Sequence, residues 1–491
     1  MEKIELVMVP FAVIGHLTPM LELAKLLVSS DDRISVNFMV LNMPEFNTVE
    51  ISSLEESLSG SGIDRTRLRF FQPPLDTRQL MTISNPVTFY FNFVETQKHS
   101  IMETVAKQVI GRPNSGRLVG FIVDMLSLSL IDVARETFNV PTYAFYICCA
   151  SVIGLKYHIL SLKEEQGKDI TDFIGTTDLM VPGYPLPVPT NVIPAVAFDK
   201  DHGGSDAFLA IAKNLRRTKG ILVNTFEEYE PHAIEALSND DGAPPVYPVG
   251  PMLNLKNKTN TQQQRNQNEK IMLWLNDQPP SSVVFLCFGS AGTFCDAQLK
   301  EIAVALESSG QRFLWSVRLS SPDGKPWLVE EYDHDSLEKV LPEGFLQRTA
   351  DIGKIIGWAP QVEVLAHESV GGFVTHSGWN SIQESVWFAV PTAIWPLYAE
   401  QQVNAFTMIK ILELAVEIKM DYKIKWENNN EVEIVEADII KKAISEIMDD
   451  KNANNIKRRN RVKEMSQKSR KALEEGGSSY SSLRHFIDNI V

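Results

Sequence analysis

The chain has 491 residues, enough for two or three domains that each bury their own core, and a small disulfide-stapled scaffold is excluded. With 44% hydrophobic and 22% charged residues, 27 Gly and 26 Pro, the composition is that of a globular protein, neither collagen-like nor disordered. The net charge of −15 opposes broad contact with a phosphate backbone, so no nucleic-acid partner is expected and any anionic ligand must be held locally.

Taken in chain order, short β-branched runs alternate with longer amphipathic stretches. Ile4–Val9 reads as a buried strand, Thr18–Ser29 as a helix, Ile34–Leu41 and Leu118–Val123 as strands, Ser127–Phe138 as a helix and Gly220–Asn224 as a strand. Periodicity is lost across Pro244–Lys270, in Pro-Pro, Pro-Val-Gly-Pro and a polar tract, which reads as a linker. Beyond it the pattern restarts: strand Ser282–Phe288, helix Asp296–Ser308, strand Arg312–Val317, strand Gly371–Thr375, a helix from about Trp379 and strand Thr392–Trp395. Ser320–Lys339 reads as an exposed loop, and the tail from Lys451 as helical, interrupted at Gly476 and Gly477. This grammar predicts two α/β halves, each a mostly parallel sheet with helices on both faces, with ligands beyond the carboxyl ends of the strands.

The four cysteines, Cys148, Cys149, Cys287 and Cys295, form no CxxC pair, which favours a reducing compartment. The first residues lack a signal peptide's basic start, and the longest uncharged apolar stretch, Tyr143–Leu155, is too short to span a membrane, so a cytoplasmic protein without an integral membrane segment is expected. Lys451–Lys471 carries nine basic residues against Glu464 alone; at helical spacing this reads as a solvated face. No GxxxxGK[ST], HExxH or GxSxG occurs, and no GxGxxG follows the first strand. The Asp-x-Asp pairs Asp199/Asp201 and Asp333/Asp335 lie in polar, loop-like stretches of an acid-rich chain, and no metal site is assigned to them.

Two places carry chemistry. Gly15-His16 follows the first strand, and Pro19 suits a helix's first turn, which puts the imidazole in the ligand crevice. His16 is a candidate general base; a structural or capping histidine is the competing reading. Asp124 closes the hydrophobic strand Leu118–Val123, where a carboxylate is costly without a partner. It can orient and stabilise His16, or cap the next helix. The second place is Gly371–Glu384. A strand there runs into the turn His376-Ser377-Gly378 and a helix begins at about Trp379, so backbone N–H groups point at whatever sits on the turn, as a diphosphate would. Asn380, Ser381 and His376 add donors, Glu384 suits ribose hydroxyls, and Ser290 closes a neighbouring strand.

The 44 residues Trp358–Gln401, from Trp-Ala-Pro-Gln to Ala-Glu-Gln, closely resemble the donor-binding box of plant family 1 UDP-glycosyltransferases. The resemblance extends along the chain through Gly15-His16, Val123-Asp124-Met125, Val249-Gly250-Pro251 and Phe288-Gly289-Ser290. It implies a GT-B fold, two Rossmann-like doubly wound domains facing across a cleft. The expected layout is an acceptor domain at 1–250, a linker at 251–270, a UDP-sugar domain at 271–470 and a C-terminal helix at 471–491 packing back on the first domain. It further implies that Trp358 stacks on uracil, Ala359 bonds the base through its backbone, and Gln361 with Glu384 holds the ribose. His376, Gly378, Asn380, Ser381 and Ser290 would hold the diphosphate, and Trp379, Glu400 and Gln401 the sugar. His16 and Asp124 fall on the family's base and its orienting acid.

Three positions depart from many relatives: Ser377 where cysteine is common, Ala389 where glycine is common, and Ile147 where a threonine reaches the sugar's C6 oxygen. The implied reaction is metal-free and inverting. It needs no cofactor, and UDP-glucose, a small lipophilic plant alcohol or phenol and a monomeric protein are expected. A non-catalytic sugar-nucleotide binding protein of the same fold is the alternative. The aromatic-rich stretches holding Phe89 and Phe93, Phe145, Ile147 and Cys148, and Tyr184 are, with Gly15, the candidate acceptor residues; such stripes are also what a core looks like.

Overall fold

The computed structural model describes residues 2–43, 51–58, 62–77, 86–175, 178–255, 262–320, 329–330, 334–424 and 433–491. The first sheet is parallel throughout, with strands β1 (Ile4–Val9), β2 (Ile34–Met39), β3 (Leu68–Phe71), β4 (Arg117–Asp124), β5 (Thr142–Tyr146), β6 (Gly220–Val223) and β7 (Val246–Pro248). Their order is β3-β2-β1-β4-β5-β6-β7, so the winding reverses between β1 and β4 and opens a crevice at their carboxyl ends. All six residues of β1 are buried. Glu5 within it is held by Asn37 at 2.9 Å, Arg112 at 3.0 Å, the Gly116 N–H at 3.1 Å and Arg69, which is how a charge survives inside the sheet.

The second sheet, β8 (Val283–Cys287), β9 (Arg312–Ser316), β12 (Gly353–Ile356), β13 (Val370–Thr375), β14 (Thr392–Ile394) and β15 (Ala415–Glu417), is also parallel. A two-stranded ribbon, β10 (Leu319–Ser320) and β11 (Val329–Glu330), stands beside it in sequence. The order β12-β9-β8-β13-β14-β15 reverses between β8 and β13. Alternate residues of β8 serve opposite layers. Val284 and Leu286 pack with Phe313, Trp315 and Trp395, while Val283 and Phe285 pack with Leu314 and Phe373. A strand covered on both faces needs an unbroken apolar run, and β8 has one.

The chain divides into two compact units, Met1–Thr190 with Val196–Asn254 and Ser469–Val491, and Asn191–Ala195 with Leu255–Lys468. The C-terminal helix Ser478–Ile490 lies in the first unit, with Phe486 edge-on to Tyr143 at 5.1 Å and Arg484 donating to the Ser30 carbonyl at 2.8 Å. Asn191–Ala195, expected inside the first domain, clusters with the second unit, where Lys423 donates to the Ile193 carbonyl at 2.8 Å and Asn191 to Asp421 at 3.0 Å.

Four elements differ from expectation. The first helix runs Ile14–Ser30, so Pro19 lies inside it and cannot donate to the Gly15 carbonyl, and His16 sits in its first turn. The helix expected at Ser127–Phe138 is present from 128 to 138 but irregular, 3₁₀ at Leu128–Leu130 and π-helical at Val133–Thr137, and it follows a turn in which Asp124 Oδ1 accepts the Leu126 N–H. The expected linker 251–270 contains the start of a helix, Gln262–Asn276: its Gln, Glu, Lys and Arg are adequate helix formers, anchored by buried Ile271 and Leu275. The expected loop Ser320–Lys339 contains a helix, His334–Val340, with Leu337 buried; the rest of that stretch, Asp333 included, lies largely outside the described residues.

Candidate active site

In the first unit the reversal of winding puts the end of β4 beside the turn after β1. Asp124, the last residue of β4, is fully buried, and its Oδ2 lies 2.9 Å from His16 Nδ1. Its Oδ1 accepts the Leu126 N–H at 2.8 Å, so the carboxylate holds the turn after β4 and the imidazole at once; it does not cap the next helical element, whose N-cap residue is Ser127. With Nδ1–H donating to Asp124, Nε2 is the ring's basic nitrogen. His16 keeps 17% of its side-chain surface exposed, whereas its partner has none, the arrangement of a proton acceptor with a buried orienting acid.

An aromatic ladder leads away from His16: Phe11 edge-on at 5.6 Å, Phe93 edge-on to Phe11 at 6.3 Å, and Phe89 against Phe93 at 6.1 Å. Phe93 also lines a cavity of about 210 Å³ at the carboxyl ends of β2 and β3, formed with Leu41, Asn42, Gln72–Leu75 and Gln97. Gln97 fixes one wall, accepting the Asp76 N–H at 2.9 Å and donating to the Asp76 carbonyl at 3.1 Å. Of the candidate acceptor residues only Phe93 lines this cavity. Phe145 is fully buried in β5, registered opposite Asp124; Ile147 and Cys148 are buried just beyond that strand, and Tyr184 is buried near the start of the Ala150–Glu164 helix. Gly15 sits beside His16 in the first helical turn. The cavity walls escaped the sequence reading because β3 is only four residues long and carries Arg69; the Pro73-Pro74 pair after it is the signal that marks the loop.

In the second unit β13 runs through His376 and Ser377, at φ +57°, into Gly378, which begins the Trp379–Trp387 helix with no side-chain cap. That leaves a helix N-terminus presented at the β8/β13 switch point. His376 lies between two glycines, and a Cβ on Gly289 or on Gly378 would each fall 2.5 Å from its Nε2, so a side chain at either position would displace the ring. Burial pushes the pKa of His376 down to about 4, which keeps the ring neutral, and its buried Nδ1 has no hydrogen-bond partner among the described residues. Trp379 and Ser381 are buried and Asn380 half-buried in the first helical turn, and Ser290 is exposed just beyond β8.

Gln361 donates through Nε2 to Ser381 at 2.9 Å and to Glu384 at 2.7 Å, joining the Gln361–Leu365 helix to the Trp379–Trp387 helix. Burial raises the Glu384 carboxyl to about 7, against the hydrogen bond from Gln361. Trp358 is half-buried beyond β12 and Ala359 is buried next to it; the Arg318 guanidinium lies 4.8 Å from the Trp358 ring centroid, a neighbour the sequence did not single out. Glu400 is the half-buried N-cap of the Gln401–Phe406 helix. Buried Gln401 accepts at Oε1 from the Leu397 and Tyr398 N–H groups, at 2.9 and 3.0 Å, so its oxygen serves the loop and the NH₂ remains to donate. Asp199 accepts from the His202 backbone at 3.1 Å and ring at 3.0 Å in a local turn. Among the described residues no group of three or more His, Cys, Asp and Glu stands together as metal ligands.

Two parallel-sheet Rossmann-like units, each gathering polar residues at its own switch point, define the GT-B class of transferase. Residues 243–458 match the family model described as "UDP-glucoronosyl and UDP-glucosyl transferase". The chain is 46% identical to a Fragaria ananassa protein named UDP-glucose flavonoid 3-O-glucosyltransferase 6, over 99% of this chain and 98% of that one. It is also 46% identical to UDP-glycosyltransferase 71E1 of Stevia rebaudiana, over 100% and 99%. A Siraitia grosvenorii transferase solved with UDP superposes with a TM-score of 0.86 at 41% identity, covering 99% of this chain and 100% of that one. Medicago truncatula UGT71G1, solved with UDP-glucose, gives 0.85 at 35% identity, covering 99% and 98%. The chain belongs to the plant family 1 UDP-glycosyltransferases and is a glycosyltransferase of GT-B fold.

Proposed function

We propose that the chain transfers glucose from UDP-glucose to a hydroxyl of a small lipophilic plant metabolite, inverting the configuration at the sugar's C1. His16 Nε2 takes the acceptor's hydroxyl proton, the oxygen forms its bond to C1, and the bond from C1 to the diphosphate oxygen breaks with UDP leaving. Asp124 stabilises the imidazolium that results. His376, as a neutral donor, and the N–H groups opening the Trp379–Trp387 helix meet the charge that develops on the diphosphate. Gln361 and Glu384 take the ribose, Trp358 and Ala359 the base, and Trp379, Glu400 and Gln401 the sugar. The names of the Fragaria relative and of the Medicago complex support glucose as the sugar. The observation that carries the reading is the 2.9 Å contact of His16 with a fully buried Asp124, since a base needs an orienting acid and a surface histidine does not.

The cavity beside Phe93 suits a flat apolar aglycone. All four cysteines are free, which supports the reducing cytoplasm as the compartment, and a monomer is the expected state; among the described residues no helix is long and apolar enough to cross a membrane. The test is a mass-spectrometric screen of the purified protein, with and without excess EDTA, against several UDP-sugars and a panel of plant phenols and terpenoid alcohols. A β-glucoside formed from UDP-glucose, undiminished by EDTA, is expected. UDP-glucose bound but never consumed would make the chain a binding protein.

A further inference from the structure

Glu230 belongs to none of the residues assigned to the reaction, yet it is a buried carboxylate, 5% exposed, with a specific task. It is the N-cap residue of the Pro231–Ser238 helix, but its side chain reaches a different helix. Oε2 accepts the Ala150 N–H at 2.8 Å and Oε1 the Ser151 N–H at 3.0 Å, one oxygen for each of the first two donors of the Ala150–Glu164 helix. That helix has no side-chain cap from its own N-cap residue, Cys149. The positive end of its dipole is therefore met from 79 and 80 residues away in sequence. Burial raises the Glu230 carboxyl, and the hydrogen bonds from the helix terminus oppose that rise.

The two units treat their helix termini differently. In the second unit the helix after β13 opens without a side-chain cap. In the first, the helix after β5 has its terminus filled by a carboxylate of the chain itself. Between β5 and that terminus lie only Ile147, Cys148 and Cys149. One end of this segment is set by β5, whose Phe145 is registered opposite Asp124. The other end is set by Glu230.

We propose that Glu230 is a positioning residue: through two backbone bonds it fixes the Ile147–Cys149 segment, and so sets acceptor binding and the choice between hexose and pentose donors. This rests on the functional reading above together with the sequence-based assignment of Ile147 and Cys148 as acceptor residues and of Ile147 as the position where the family resemblance implies a threonine near the sugar's C6 oxygen; in the structure both are buried, directly after the strand registered against Asp124. Glu230→Ala removes both acceptors, Glu230→Gln leaves one oxygen for two donors, and sodium formate supplies a small carboxylate to the vacated space. Three readouts apply to the full chain: hydrogen exchange of the Ala150 and Ser151 amides, KM for a phenolic acceptor beside KM for UDP-glucose, and the ratio of kcat/KM for UDP-glucose to that for UDP-xylose.

For Glu230→Ala, exchange at the two amides is expected to speed up at least tenfold and acceptor KM to rise about tenfold, with UDP affinity within twofold of wild type and the donor ratio shifted. Formate should restore part of each, and Glu230→Gln should fall between. If Glu230→Ala is insoluble, Glu230→Gln carries the same measurements. Unchanged exchange would refute the anchoring. Faster exchange with wild-type acceptor KM and donor ratio, or a uniform loss of activity that formate does not relieve, would reduce Glu230 to a structural cap. A wild-type protein that turns over no UDP-sugar would sink the functional reading by a separate route, because the exchange measurement needs no turnover.

Discussion

Gln361 and Glu384, from two different helices, meet at 2.7 Å, and the same Gln361 amide holds Ser381 at 2.9 Å, so the proposed ribose site is tied together by the chain's own hydrogen bonds. That arrangement has an electrostatic cost that pH can expose.

Burial raises the Glu384 carboxyl from 4.5 to about 7, so in the free protein it holds a proton over much of that interval while an unfolded chain does not. A folded-state pKa raised in this way makes its contribution to stability fall as pH climbs from about 4.5 to about 7. Two ribose hydroxyls donating to the carboxylate reverse the preference, so binding should release a proton. UDP-glucose affinity is expected to increase through pH 6 to 8, with proton release read by calorimetry in buffers of different ionisation enthalpy. Glu384→Gln should flatten both. A pH-independent affinity in the wild type would remove Glu384 from the ribose.

His16→Ala should lower turnover about 100- to 10,000-fold with ordinary alcohols while UDP still binds, because the base and the nucleotide cradle belong to different units. Asp124→Asn keeps an oxygen for the Leu126 N–H and should barely change the melting temperature, yet lose activity by disturbing the His16 tautomer. The loss should shrink with phenols of low pKa, which need less help in losing a proton. An Asp124→Asn enzyme as active as wild type on an aliphatic alcohol would contradict the proposed pair.

Both switch points were legible because the relevant residues stand immediately after strands that read plainly as apolar runs: His16 after β1, Asp124 ending β4, His376 after β13. The donor box was legible as a block because its residues are contiguous. The walls around Leu41, Gln72 and Gln97 were not, since they depend on β3, a short strand whose Arg69 serves buried Glu5 rather than solvent. The 262–276 helix was hidden by an Asn/Gln-rich stretch whose first deeply buried apolar residue is Ile271. Gln401 shows a third kind of limit. The sequence singles the residue out, but that its oxygen is spent on two loop N–H groups is tertiary information with no trace in periodicity.

The backbone at Ala389 is one that favours the glycine common in the family, and nothing in the structure explains the alanine. It follows the Trp379–Trp387 helix at φ +57°, with its N–H on the Val386 carbonyl at 3.1 Å and the Val390 N–H on the Ser385 carbonyl at 2.9 Å, a Schellman ending in which glycine is preferred. A Cβ in the left-handed region costs about 1 to 2 kcal/mol, partly offset by glycine's greater freedom when unfolded. Ala389→Gly should stabilise the protein by about 0.5 to 1 kcal/mol without altering kinetics, as read by denaturant midpoint. A lower midpoint would show that the left-handed backbone is unstrained here.

Ile147 is buried just beyond β5, at the position where the family resemblance implies a threonine hydroxyl near the sugar's C6 oxygen. One neutral hydrogen bond is worth about 0.5 to 1.5 kcal/mol, so UDP-glucose should stay the best donor while UDP-xylose is tolerated more than in threonine-bearing relatives. Ile147→Thr should raise the glucose-to-xylose ratio of kcat/KM several-fold, on the order of 1 kcal/mol. An unchanged ratio would place Ile147 with the acceptor or the core.

Gln401 allows its proposed recognition of the sugar to be tested apart from its part in building the loop. Its Oε1 satisfies the Leu397 and Tyr398 N–H groups, and its backbone carbonyl accepts from Ser377 Oγ at 2.6 Å, so only the amide NH₂ is left to face a sugar hydroxyl, and it can donate but not accept. Gln401→Ala should therefore do two things at once. It should strand two N–H donors, at about 1 to 3 kcal/mol each and a fall of several degrees in melting temperature, and it should weaken UDP-glucose. Gln401→Glu keeps an oxygen on both N–H groups and removes the NH₂. Its melting temperature should stay near wild type while KM for UDP-glucose rises several-fold and the affinity for UDP alone, which lacks the sugar, does not move. If Gln401→Glu lost stability as fully as Gln401→Ala, the loop would depend on the amide itself. If instead UDP and UDP-glucose weakened equally in Gln401→Glu, the residue would be acting through the nucleotide site, and the sugar's contacts would have to be sought at Glu400 and Trp379.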